Sequence, residues 1–368
     1  MLKFTVQKEI LLDACTKCQK VIASKNTMPI LDNIKFTVGY DGYTVLAASD
    51  LQTHIETSIS VSREQGEREE FCLAAKLLVD TLSKLPSEEI TLSISDVQCI
   101  ITTTNGEFTM PVLEAKDFPL KQTNPMPSFS AVLIPITELF SVVHSVLFAV
   151  SKEELRPAMC GINLVKNDFI YMNGTDGNRL SSSVLEVASE GNIDVSIPVK
   201  PLASLNTFFS DKVNIQYGKF LTISDDSTTI QITIINEKFP DIFAVMPKVN
   251  EDDIVVKAKK FDLMKLLKLA TLYGNKTSGL IVFTVKDGEL IIDAQDLDYN
   301  VSATERYQCK TNGEIKIGFN GNILLDCVKN LNCDTVEFRF TEPSKAALIL
   351  DADRMANQKM LIMPLMIQ

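Results

Sequence analysis

The sequence predicts an α+β chain of three repeated domains, each with two helices packed on antiparallel sheets, so that one small motif occurs six times. Residues 33–50, 161–176 and 280–296 each read as an apolar strand, a turn, a second strand and a closing Asp. The closing residues Asp50, Asp176 and Asp296 lie 126 and 120 positions apart, so a unit of about 120 residues is used three times. A second half-unit of strand, helix and strands then recurs, and its copies run to Phe118-Pro119, Phe239-Pro240 and Pro364.

Taken in order, residues 2–6 alternate as a strand. The spacing of Ile10, Leu11, Ala14, Cys18, Val21 and Ile22 predicts a helix over 9–23 with Lys17 and Lys20 on its other face. The first hairpin turns at Asp41-Gly42, a pair that favours positive φ, and a strand over 51–61 follows it. After a charged loop at 63–70 come a strand at 70–73, a helix at 75–84, and strands at 90–95, 99–104 and 107–112 around the Asn105-Gly106 turn. The corresponding helices are expected at 201–209 and 322–331, with strands at 213–217, 220–224 and 228–235 and at 335–340, 347–350 and 360–363. Domain boundaries follow at 1–125, 126–250 and 251–368.

Composition agrees with this division. At 368 residues and 45% apolar content the chain is too long for one ordinary core and apolar enough for three. Lys3, Lys8, Glu9 and Asp13 interrupt the opening apolar residues, so no secretory or membrane segment is expected there and the expected compartment is the cytoplasm. In that compartment eight cysteines stay as thiols and the Asn-x-Ser/Thr triplets at Asn173, Asn275 and Asn300 carry no glycan. A net charge of −11 argues against coating nucleic acid with the whole surface and leaves room for a local basic face.

Catalytic constellations are weak. His54 and His144 lie in different units and neither has a second ligand at metal spacing, so no metal site, cofactor or catalytic residue is expected. Cys15 and Cys18 fall inside an amphipathic helix with no second pair, which favours a buried structural role. Gly274-Asn275-Lys276-Thr277 lacks the outer glycine spacing of a phosphate loop. Asp50, Asp176 and Asp296 occupy equivalent places in separate units and are expected to cap turns.

Repeated units joined edge to edge curve, and a curve of equal units can close, with three domains making half a ring. Helix faces away from the core carry Lys17, Lys20, Lys76, Lys84, Lys265, Lys268 and Lys329, whereas acids crowd loops at 67–70, 88–89, 225–226 and 251–253. The charges alone leave two readings, ordinary solvated helix positions or the basic lining of a hole with an acidic rim.

Six short stretches narrow this further: Leu2-Lys3-Phe4-Thr5-Val6, Met28-Pro29-Ile30-Leu31-Asp32-Asn33, Thr175-Asp176-Gly177-Asn178-Arg179-Leu180, Phe239-Pro240-Asp241, Ile317-Gly318-Phe319-Asn320 and Met363-Pro364-Leu365. In these, which span all three units, the chain resembles the bacterial DNA polymerase III beta-subunit family, the sliding clamps. The resemblance implies a head-to-tail, ring-shaped homodimer of clamp-type domains that encircles duplex DNA without sequence specificity. It also implies a non-catalytic subunit that tethers the replicative polymerase, is handled by a clamp loader and docks other clamp-binding peptides.

Carried over residue by residue, the resemblance implies a partner-peptide pocket walled by Met159, Thr175, Gly177, Asn178, Arg179, Leu180, Pro240, Val245, Leu361, Met363, Pro364 and Leu365. It implies DNA contact at Lys25 and Arg156, to which the lysines at 17, 20, 76, 84, 200, 265 and 268 are added as the expected inner set (Lys17, Lys20, Lys76, Lys84, Lys200, Lys265, Lys268). It implies a dimer seam of Phe108 and Met110 against Leu272 of a second copy. Adaptable Met side chains suit a pocket with several clients. The sequence departs from the family at Pro157-Ala158, where an aromatic pair is usual, at Asn178, usually His, and in the tail Met366-Ile367-Gln368, which lacks the usual Arg. The alternative reading is a repeat-built interaction scaffold, a clamp paralogue not loaded on DNA.

Overall fold

The computed structural model describes residues 2–39, 41–63, 69–86, 88–119, 121–123, 126–353 and 357–367. Gly66, Glu67 and Arg68 of the charged loop and the tail residue Gln368 lie outside the described residues. All the sheet pairings are antiparallel. Alternating burial follows the apolar pattern, as in Leu2–Gln7, where Leu2, Phe4 and Val6 are buried and Lys3 and Gln7 are exposed.

The chain divides into two compact units, one formed by Met1–Thr137, Ala188–Gly191 and Lys200–Ile234, the other by Glu138–Val187, Asn192–Val199 and Ile235–Gln368. This division follows the sheets. Among the described residues, the first unit holds a five-stranded sheet that ends at Glu107–Pro111 and a ten-stranded sheet. In the larger sheet Thr53–Ser60 of the first repeat pairs with Thr228–Ile232 of the second, with Ile55 opposite Ile230. The second unit holds a nine-stranded sheet, in which Arg179–Leu185 pairs with Gln358–Ile362, and a four-stranded sheet that ends at Val301–Gln308. The middle repeat is therefore shared between two sheets, each completed by a neighbouring repeat.

Helices cover one face of these sheets. Lys8–Val21 packs on Tyr43–Ser49, Thr53–Ser60 and the helix Ala75–Lys84, burying Leu11, Ala14, Cys15 and Cys18. In the last repeat Lys260–Tyr273 packs on Gly321–Asn330, over a core in which Phe283, Phe319, Phe338 and Phe340 meet ring against ring. Asn320 caps the second of these helices by accepting from the amides of Asn322 and Ile323. The helix expected over 201–209 is broken into Val199–Leu202 and Leu205–Phe208. The backbone turns at Ser204, whose N–H donates to the Pro201 carbonyl at 3.3 Å.

The turns after the repeated hairpins are built alike, the first two with two amide bonds and the third with one. Asp50 Oδ1 accepts from the amides of Gln52 and Thr53 at 3.2 and 2.7 Å, and Asp176 Oδ1 accepts from those of Asn178 and Arg179 at 2.9 and 3.0 Å. Asp296 Oδ1 accepts from the Asp298 amide at 3.0 Å. These acids cap turns, as expected from their equivalent places. The residue after the first two also shares a left-handed backbone, Leu51 at φ 74° and Gly177 at φ 88°. Glycine suits that conformation, whereas a β-carbon there costs about 1–2 kcal/mol, so the first repeat carries strain that the second avoids.

In the first unit, Glu56 accepts from His54 Nε2 at 3.4 Å and from Lys121 Nζ at 2.8 Å. The His54 hydrogen bond first, then Lys121, hold its carboxyl near 2, against the opposing effect of burial. A depressed carboxylate contributes stability that is present above the ordinary carboxylate range and is lost as pH falls through its folded value. Glu56→Gln is expected to lower stability at neutral pH and to flatten the loss between about pH 4.5 and 2. Urea unfolding of both proteins across that range checks it; parallel pH profiles would contradict it.

Candidate partner-docking site and DNA-facing residues

The expected docking residues all fall in the second unit, around the turn between Ile170–Thr175 and Arg179–Leu185. Asp176 holds that turn through the two amides already described. Thr175 Oγ1 donates to the Arg179 carbonyl at 2.7 Å and accepts from the Gly177 amide at 3.2 Å. Arg179 is fixed by Asp176 Oδ2 at 3.0 Å and Asp326 Oδ2 at 3.2 Å, with its guanidinium 5.1 Å from the Phe148 ring centre.

Strand pairing then puts Leu180 directly opposite Leu361, and the two pack with Phe239 and Ile242 as a buried apolar floor. Asp241 starts the short helix Ile242–Val245 by accepting from the amides of Phe243 and Ala244, and Val245 at its end is exposed. The tail is pinned at two points, the Met363 amide to the Asn178 carbonyl and the Leu365 amide to the Gly318 carbonyl, each at 2.8 Å. Met363 and Val245 are 44% and 54% exposed, apolar side chains open to water a few residues along the chain from the buried Leu361 and Ile242. Met159 lies in the turn Pro157–Cys160, its amide donating to the Arg156 carbonyl at 3.0 Å.

Phe239, Ile242 and Met246 pack with Leu180 and Leu361, and Phe148 packs against Arg179; none of the four was named as a pocket residue from the sequence. Phe239 had a visible signal in the repeated Phe-Pro. The other three sit on elements whose contact with the hairpin depends on long-range packing.

Among the described residues no group of three or more His, Cys, Asp and Glu is placed to hold a metal ion. Cys15 and Cys18 are buried, and burial pushes both thiols up, away from the nucleophilic thiolate. Asn275 Oδ1 accepts from the amides of Thr277 and Ser278 at 3.0 and 3.1 Å, so the Gly274–Thr277 stretch is an Asn-capped turn.

Models of the DNA polymerase III beta subunit match nearly end to end: its N-terminal domain at residues 2–124, its central domain at 133–241 and its C-terminal domain at 244–366. The chain belongs to the DNA polymerase III beta-subunit family. Its curated relatives include the beta sliding clamp of Mycoplasma capricolum, 26% identical with 95% of each chain covered, and that of Bacillus subtilis, 25% identical with 95% of each covered. Among solved structures, the DNA polymerase sliding clamp of Pseudomonas aeruginosa with ligand superposes over 100% of both chains at a TM-score of 0.91 and 25% identity. The beta subunit of Thermotoga maritima superposes over 100% of both at 0.90 and 20% identity. Family membership makes the chain a three-domain sliding clamp and a non-catalytic processivity subunit. No described helix is long and apolar enough to cross a membrane.

Set against the sliding-clamp family, the basic residues divide. Lys20, Lys25, Lys76, Lys84 and Lys268 are exposed and make no ion pair among the described residues. Lys17 is tied to Asp13 at 3.0 Å. Lys200 donates to the Val21 carbonyl at 2.6 Å and to Asp50 Oδ2 at 2.9 Å, so its charge is spent inside the first unit. Lys265 stacks 3.9 Å from the Phe261 ring centre. Arg156 is exposed, and its guanidinium lies against the Gly177 turn.

The seam residues divide too. Phe108 is 39% exposed and Leu272 is exposed, whereas Met110 is 2% exposed and faces the core of its own sheet. The expectation that Met110 is exposed is corrected: residues 108 and 110 share one face of the strand, but Met110 stands opposite the buried Cys99 and is covered, whereas Phe108 stays partly open.

Proposed function

We propose that two copies of the chain close head to tail into a ring that encircles duplex DNA, and that the ring tethers the replicative polymerase and docks other partners by short peptides. The observation that carries this reading is the pattern of free strand edges. In two repeats, the strand that follows the capping Asp pairs with the last strand of the next repeat: Thr53–Ser60 with Thr228–Ile232, and Arg179–Leu185 with Gln358–Ile362. The third such strand, Val301–Gln308, ends its sheet, and so does Glu107–Pro111, the corresponding last strand of the first repeat. One chain cannot continue the rule past its third repeat, but a second copy can, and two such pairings close the cycle.

Domains at 1–125, 126–250 and 251–368 fit this rule, because each junction is then a strand pairing between consecutive repeats. In the ring, DNA is retained because it cannot leave sideways, so phosphate contacts stay few and base contacts are unnecessary. The exposed set of Lys20, Lys25, Lys76, Lys84, Lys265, Lys268 and Arg156 supplies such contacts, while Lys17 and Lys200 serve the fold. Peptides dock on the floor of Leu180 and Leu361, between Val245 and Met363. Two buried apolar anchors of about 1.5–3 kcal/mol each, with backbone hydrogen bonds, give affinities near the micromolar level, about −8 kcal/mol, which suits partners that take turns. The protein works in the cytoplasm, with its cysteines reduced.

Duplex binding tests the DNA-facing half of this reading. Two duplexes of unrelated sequence are expected to bind equally and weakly, with a shallow dependence on salt, and Lys25→Ala with Arg156→Ala is expected to weaken both alike. Preference for one sequence, or no binding even at low salt, would contradict it.

A further inference from the structure

We infer that a cleft beside the docking floor, lined by Phe169, Tyr171, Val184 and Phe243, is a second socket for the docked peptide and takes one bulky, uncharged apolar side chain. The inference rests on the docking reading above and adds a specificity position to it.

Side chains alternate along Arg179–Leu185, so Leu180, Ser182 and Val184 share one face. Their cross-strand partners Leu361, Lys359 and Tyr171 stand on that face as well. Leu180 and Leu361 form the floor of the first pocket; Val184, Tyr171 and Lys359 form the floor of the cleft. Ile242 and Met246 border both, packing on Leu180 and Leu361 on one side and lining the cleft on the other. The two depressions are thus neighbours along one sheet face under one short helix.

The cleft has a volume of 270 Å³, below the roughly 300–1,000 Å³ of a small-molecule site and suited to a single side chain. Its walls are aromatic and open: Phe169 and Phe243 are 50% and 45% exposed, and Phe243 meets Tyr171 edge to face at 5.2 Å between ring centres. A third ring or a branched chain completes that arrangement. Glu186 and Lys359 both line the cleft, and neither forms an ion pair among the described residues. A cation entering meets Lys359 and an anion meets Glu186, so the pair selects a neutral occupant.

Leu180 and Val184 are four residues apart, about 13 Å along a strand, a span that an extended peptide covers in about four residues. The occupant is therefore a partner peptide with a bulky apolar residue about four positions from the pair that fills the first pocket.

Fluorescence polarisation with labelled decapeptides tests this on the full chain. Each carries a Leu-Phe pair, with Trp or Ala placed four positions before it or four positions after it. In one of the two placements Trp is expected to bind about tenfold tighter than Ala, or more. Phe243→Ala is expected to abolish that gain and leave the Ala peptide's affinity unchanged; Phe169→Ala, at an equally open position, is expected to reduce the gain. Equal affinity of Trp and Ala peptides in both placements, or a gain that survives Phe243→Ala, overturns the second socket while leaving the first pocket standing. Failure of every Leu-Phe peptide to bind overturns both.

Discussion

Phe108→Arg is expected to turn the protein into a folded monomer of 40.8 kDa. Phe108 stands on Glu107–Pro111, the strand that ends the five-stranded sheet, and its ring is open to solvent in the single chain. In the proposed ring that strand meets Val301–Gln308 of a second copy, and the ring of Phe108 is desolvated. Replacing it by a guanidinium removes an apolar anchor and asks a charge to leave water without a partner. The expected loss is at least about 2 kcal/mol per seam, a weakening of roughly 30-fold or more at each of two seams. The fold should survive, because the residue is already accessible, and the circular dichroism spectrum and melting temperature should stay near those of the parent. Leu272→Glu, on the other side of the seam, is expected to act alike, and combining the two substitutions should restore part of the dimer by placing opposite charges together. An unchanged mass for Phe108→Arg at every concentration would contradict the seam. Met110→Arg is no substitute for this test, since a charge at that buried position unfolds the domain.

Met363→Glu and Val245→Glu are expected to abolish peptide docking and leave the ring intact. Both residues are exposed, and in the proposed docking mode they wall the apolar floor, so neither holds the core together. Each forfeits apolar contact worth about 1.5–3 kcal/mol, or roughly ten- to a hundredfold in affinity, and adds a charge beside an apolar ligand. Titration of a labelled Leu-Phe peptide against each variant reads the effect. Parent-like affinity in both would place docking elsewhere on the molecule. Because Leu180 and Leu361 are buried, substitutions there would confuse docking with stability, which makes the open walls the better choice.

Much of this architecture was legible because local chemistry repeats. The Asp that closes each hairpin binds amides a few residues on, a contact that short-range sequence encodes fully. The apolar faces of the helices at Lys8–Val21 and Ala75–Lys84 follow from period alone. Other features depend on contacts between distant segments. Lys200 reads as a free helix lysine until the fold brings Asp50 and the Val21 carbonyl to it. Met110 shares a strand face with Phe108, and only the packing around its partner Cys99 on Gln98–Thr102 buries the one and leaves the other partly open. The cleft joins Phe169, Tyr171 and Phe243 with Lys359, and no periodicity links residues so far apart. The docking floor was accessible through family resemblance for Leu180 and Leu361, whereas Ile242 and Met246 enter only because Asp241 starts a helix over them.

The pairing rule between successive repeats is the central claim, and it is tested most directly by the purified chain itself. Negative-stain images taken together with mass in solution at the same concentration are expected to show closed rings of twice 40.8 kDa. The hole should be wide enough for duplex DNA, on the order of 20 Å or more given the groove dimensions of the helix. A monomer that persists at high concentration, or a dimer without a hole, would mean that the free edges at Glu107–Pro111 and Val301–Gln308 do not meet.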